Sequence, residues 1–222
     1  MNTVLMIIAV AGFALWIWGS KTTIVIGLVL FSMYGCFKIV YPSGSFRYKL
    51  TLVVDDNGKL VTASSVRQVH IQVNPRITPE MNNSVSVKGE AVVVDLGEKG
   101  VFFALIKSND ANYSGYYIVF NNFPFEGAST AKGIEYYTHL KAKKELEFDS
   151  LPMLVRFRDI ADPKTVEKVD PNDLEKTFGK GVKLVSTTLE MTDEGVTMGK
   201  MKKYLLWFDK WQNYGGNIVG RE

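Results

Sequence analysis

The feature that most limits how this chain can fold is its opening. Residues 4–18 read VLMIIAVAGFALWIW without a charge, and residues 22–40 read TTIVIGLVLFSMYGCFKIV with Lys38 as the one charge. Gly19, Ser20 and Lys21 separate the runs. A helix rises about 1.5 Å per residue and a bilayer core is roughly 30 Å thick, so apolar runs of this length read as membrane spans. The pair predicts a transmembrane helical hairpin over residues 1–42, with the lipid bilayer as its first partner. Trp16, Trp18 and Tyr41 fall near the ends of the runs, where amphipathic rings favour the headgroup layer, and Lys38 can extend its ammonium toward water. Three other readings fit the same residues. They can form a buried core hairpin, or the first run can lie in the membrane interface. In the third, Lys21 and the second run make a signal peptide, with Gly35-Cys36 placed where a lipoprotein is cut and acylated at Cys36.

Behind this opening the composition is ordinary. Lys and Arg number 26 against 23 Asp and Glu, a formal charge of +3, which gives no footprint for nucleic acid. The single cysteine, Cys36, excludes an intrachain disulfide framework, and with His70 and His139 the only histidines, a Cys/His zinc site lacks its ligands. No metal and no cofactor is expected.

Residues 45–198 predict an α+β domain with an antiparallel or mixed sheet and two to three short helices. Phe46, Tyr48, Leu50, Leu52 and Val54 alternate with polar neighbours, the period of a half-buried strand. Asn57-Gly58 then supplies the pair that a type I′ hairpin turn requires, and Val66, Val69, Ile71 and Val73 are the core candidates of the return strand. VSVKGEAVVVDLG and VFFALIKS predict a second hairpin whose nearly continuous apolar run suits strands covered on both faces. YYIVF from Tyr116, LPMLVRF from Leu151 and VKLVSTTLEM from Val182 predict further strands. A helix is expected from Ala131 to about Lys144, and a shorter one after Asp170 as N-cap with Pro171 at its first position. Residues 199–222 predict an amphipathic helix, Lys200 to Trp211, and a frayed tail. Its Tyr204, Trp207 and Trp211 recur at helical spacing with lysines alongside, a composition suited to an anionic membrane surface or to packing on the sheet.

Catalytic signatures are missing from the sequence: it contains no phosphate-binding glycine loop, no nucleophile elbow and no zinc-protease motif. Asp55 and Asn57 begin like a calcium loop, but Lys59 stands where a third oxygen ligand belongs. The one polar cluster that offers a site is Ser64, Ser65, Arg67, Glu90 and Asp95, on strands or at their ends, which outward-facing strand positions explain equally well.

Three segments carry a resemblance: YKLTLVVDDNGKLVTASSV, GEAVVVDLGEKGVFFALI and the stretch from Leu151 to Thr197, through Ser64-Ser65, Gly89-Glu90, Asp95-Leu96-Gly97, Asp162-Pro163 and Asp170-Pro171. Over roughly Tyr48 to Thr197 the chain resembles a family of uncharacterised bacterial membrane-anchored or exported proteins with no assigned activity. The resemblance implies an extracytoplasmic domain, whereas Lys38, Arg47 and Lys49 beyond the second run, against Lys21 between the runs, favour the cytoplasm. Together these readings predict an integral protein of the bacterial inner membrane that binds another membrane or envelope protein without catalysis. The rival is a membrane-tethered enzyme of unrecognised type using the polar cluster.

Overall fold

A computed structural model of the chain describes residues 21–75, 83–108 and 115–208. The chain divides into two compact units, Met1–Ser43 and Gly44–Glu222. The described part of the first is helix α1, Lys21–Val40, with apolar side chains such as Ile24, Leu28, Phe31 and Met33 more than half exposed.

This corrects the expectation drawn from the opening of the sequence. Among the described residues no helix is long and apolar enough to cross a membrane. That finding overturns the transmembrane hairpin, and the inner-membrane localisation falls with it. The first apolar run, with Trp16 and Trp18, lies outside the described residues. Lys38 is on α1, and Cys36 is exposed within that helix, so a Gly35-Cys36 cut would fall inside a helical turn.

The second unit is built on a long hairpin. Strands β1 (Ser43–Asp56) and β2 (Lys59–Gln72) meet at Asn57 and Gly58, whose φ values of 53° and 88° are the left-handed pair of a tight hairpin turn. Asp55 closes the turn by accepting the Gly58 N–H at 2.6 Å, so the acidic start of the supposed calcium loop is turn chemistry. From Phe46 to Val54 every second residue of β1 is buried, as the period of two requires. Strand β3 (Ser84–Lys88) pairs with β2, and β4 (Val92–Asp95) forms a second hairpin with β5 (Val101–Ser108). With β6 (Lys143–Glu145), β7 (Pro152–Phe157), β8 (Val166–Val169) and β9 (Val182–Met191), the strands make two sheets, of order β3-β2-β1-β9-β6 and β4-β5-β7-β8. One core lies between them: Tyr48, Leu50, Leu52 and Ile71 of the first sheet share an apolar cluster with Val92, Phe102 and Leu154 of the second.

A β-bulge lets β9 serve that core along its whole length. Val53 faces Ser186 and Val54 faces Leu184, which leaves Val185 unopposed and half exposed. The extra residue reverses the alternation, so Val182 and Leu184 before it and Thr187, Leu189 and Met191 after it are all buried.

Helices α2 (Tyr117–Asn122) and α3 (Ala131–His139) close the core near the start of β1. Phe120 stacks on Tyr137 at 5.2 Å, and Phe46 meets Tyr137 at 4.9 Å. The β-forming YYIVF segment is therefore helical, because its aromatic residues serve this cluster rather than a ladder. α3 stops at His139, short of Lys144, because Lys143 and Glu145 pair with Glu190 and Thr188 of β9. In α4 (Leu174–Phe178) the cap is Asp173, whose carboxylate accepts from Lys176 N–H, while Asp170 turns the chain by accepting from Asn172.

Candidate functional site

The sequence-derived cluster lies where the C-terminal segment meets the sheets: Glu90 and Asp95 reach that segment through their carboxylates and Ser64 through its carbonyl, while Ser65 and Arg67 bind the backbone beneath. Glu90 follows β3, and its carboxylate accepts three backbone N–H groups: Gly199, Lys200 at 2.8 Å and Met201 at 3.2 Å. It thereby satisfies the donors at the start of the short 3-10 turn Met201–Lys203. The Glu90 carbonyl accepts from Ser65 Oγ at 2.8 Å and from Arg67 Nε at 3.1 Å. Ser64 offers its carbonyl to Lys200 Nζ, and Asp95 accepts the Tyr204 hydroxyl at 2.9 Å and the Gly97 N–H. The hydrogen bond and charge of Asp95 push the Tyr204 phenol up from its ordinary value.

Arg67 is the least expected member, for it is fully buried between the sheets. Its Nη2 donates to the Ala104 carbonyl at 2.9 Å, and among the described residues Nη1 has no hydrogen-bond partner. Gly89 makes room for it: a Cβ there would stand 3.0 Å from Arg67 Cγ, and the φ of 143° is one that side-chain-bearing residues rarely adopt. The Tyr48 phenol lies beside the guanidinium and donates to the Gly115 carbonyl at 2.8 Å. Burial pushes that phenol up, and Arg67 pulls part of the way back.

The C-terminal segment reaches Glu90 by a strap, residues 192–197, that runs from the end of β9 to β2. Thr192 N–H donates to the Arg47 carbonyl, and Thr197 both donates its N–H to the Val66 carbonyl and accepts the Val66 N–H on its hydroxyl. Three cations hold the strap. Arg47 Nη1 donates to the carbonyls of Asp193 at 3.0 Å and Glu194 at 3.2 Å, Lys49 pairs with the Glu194 carboxylate at 2.8 Å, and Lys141 with that of Asp193. The Lys141 hydrogen bond, and then its charge, holds the Asp193 carboxyl below the usual value.

Between the strap, the start of β1 and the end of α3 lies a notch of about 150 Å³. Arg47 and Gln68 line it from the sheet, joined by a 3.3 Å hydrogen bond from Nε. Ser45, Thr138 and Lys141 add polar groups, and Tyr137 and Met191 add apolar wall. Ser45 Oγ also stands 2.9 Å from His70 Nδ1. Burial pushes the Tyr137 phenol up to about 12, and its hydroxyl donates to the Phe123 carbonyl at 2.8 Å, so Tyr137 adds a neutral wall to the notch.

The sequence reading missed this notch. The Asn57-Gly58 turn sets the hairpin register, which would place Arg47 across from Gln68 and Ser45 across from His70; nothing local could add Lys141 and Asp193. Of the residues expected at a membrane interface, Trp207 donates Nε1–H to the Ile160 carbonyl at 2.8 Å and meets Phe157 edge-on at 5.3 Å. Tyr204 packs beside it against the second sheet, Tyr41 is half-buried just past α1, and Trp211 lies outside the described residues. The expected helix from Lys200 is the short 3-10 turn followed by further turns. No family model, no curated protein and no solved structure matches the chain.

Proposed function

We propose that the chain is a binding subunit whose α+β domain recognises another protein by taking one of its acidic side chains into the notch at Arg47 and Lys141. The observation that carries this reading is the size of the notch set against its chemistry. At about 150 Å³ it is smaller than the pockets of about 300–1,000 Å³ that enclose whole small molecules, so it suits an end group. A guanidinium, an ammonium and the hydroxyls of Ser45, Thr138 and Thr192 bound that space together with the carboxylate of Asp193, which Lys141 already pairs, so an incoming acidic group would take the place that Asp193 holds, and the planar fork of Arg47 suits a carboxylate there. The cluster first considered for catalysis speaks for the same reading. The carboxylates of Glu90 and Asp95 and the hydroxyl of Ser65 are engaged with backbone groups and with Tyr204, which is the bonding of a structural joint.

The test compares proteins retained from the source cell's lysate by immobilised full-length chain and by its Arg47→Lys and Lys141→Gln variants. A specific partner bound by the parent should be held at least tenfold more weakly by each, the effect of losing one charge-assisted hydrogen bond of about 1.5–3 kcal/mol. Equal retention by parent and variants, or a parent that retains no protein, would defeat the proposal.

A further inference from the structure

The notch leaves helix α1 unexplained. Val25, Leu28, Val29, Ser32, Met33 and Cys36 line a shallow groove along it, and the four larger members are 51–64% exposed. Their spacing places them on a single face, since residues three and four apart stack one above the other. No charged residue occurs between Ile24 and Cys36, so whatever covers this face is apolar along its length. Toward the C-terminal end the stripe carries the small side chains of Ser32 and Cys36, which let a second helix approach closely. The opposite side of α1 carries Phe31, which would hold a neighbour away.

We propose that this face is a self-association surface on which two copies of the chain pair through α1, parallel and in register. The complement the groove requires is uncharged, helical and small toward one end, and the same stripe of a second copy meets each requirement. In the parallel register small residues meet small ones; an antiparallel pair would set Cys36 against Val25. Like stripes without charge bring no repulsion, and a two-fold axis along the helices makes the contact self-complementary. Covering the six residues on both copies removes on the order of 1,000 Å² from solvent, the size at which specific interfaces begin. This surface is independent of the Arg47 notch.

Cys36 is the chain's sole cysteine and sits on the stripe, so it reports the register directly. A disulfide needs Cα atoms about 4.4–6.8 Å apart, a separation that this pairing supplies at position 36. Full-length chain in a mild non-ionic detergent, which limits non-specific clustering, is treated with a thiol oxidant and run on a non-reducing gel beside Leu28→Glu and Leu30→Glu. Most of the parent should run as a dimer that reductant reverses. Leu28→Glu, which puts a carboxylate in the seam, should lower the dimer at least tenfold, and Leu30→Glu, off the stripe, should leave it within twofold of the parent. Light scattering without oxidant should give twice the chain mass for the parent and for Leu30→Glu. A monomer by light scattering overturns the proposal, as does a dimer that fails to crosslink through Cys36 or one equally sensitive to both substitutions.

Discussion

Glu90 does most to hold the second unit together at the level of single residues. One nearly buried carboxylate takes three N–H groups of the C-terminal segment while its own carbonyl receives Ser65 and Arg67. Glu90→Gln keeps the shape but puts an NH₂ where an oxygen accepts, leaving at least one donor without a partner. Hydrogen bonds to charged groups contribute about 1.5–3 kcal/mol and an unpaired buried donor costs about as much again. We therefore expect a loss of about 3 kcal/mol in urea unfolding, and Glu90→Asp, one methylene too short, should recover little of it. The composition of this cluster was legible in the sequence, but its role was not. Ser65 and Arg67 were explicable as outward-facing strand positions, but both are fully buried, on the face of β2 that carries Val69 and Ile71; their polarity hid this, because the sequence could not tell that carbonyls from Glu90 and Ala104 would be there to receive them.

Among the elements, the strap differs most from what a sequence can disclose. The hairpin β1–β2 and the hairpin β4–β5 follow from alternation and turn residues, which are local. β6 and β8, by contrast, exist because a partner strand is already in place, and the short Lys143–Glu145 run has no pattern of its own. The strap likewise owes its path to partners distant in the chain, the cations Arg47, Lys49 and Lys141 and the backbone of Val66, which residues 192–197 alone do not disclose. Its acidic end is also its pH-sensitive end. Lys141 holds the Asp193 carboxyl below the ordinary 3.8, so the ionised form is favoured in the folded chain. The contact is then at full strength above the ordinary value and is lost as pH falls through the lowered one. NMR of the amides from Thr192 to Val196 should show a transition below pH 3.8 in the parent. Asp193→Asn should show no such transition and should match the acidified parent at neutral pH. A parent transition at or above the ordinary value would mean that Lys141 is not the group responsible.

At the scale of the whole second unit, the four-stranded sheet lies between two apolar layers. Val92, Val94, Phe102 and Ala104 face the core shared with the first sheet, while Ala91, Phe103, Val155 and Phe157 face Met201 and Leu205 of the C-terminal segment. Both faces of the same strands are dry, as the continuous apolar run in the sequence suggested. Removing the outer layer therefore exposes the backs of strands that the inner layer depends on. Leu205 is 1% exposed, and Leu205→Ala should cost about 2–5 kcal/mol, a large share of the roughly 5–15 kcal/mol that keeps a domain folded. If the two layers unfold together, the urea midpoint must fall with its slope unchanged, and amides in β1, far along the chain from the substitution, must lose hydrogen-exchange protection by the same free energy as those in β5. A C-terminal segment that peels away alone would instead leave β1 protected at the parent's level. The loss would then be confined to residues 197–208 and the outer face of β5 and β7, and the second unit would have to be treated as a sandwich with a detachable cover rather than as one cooperative body.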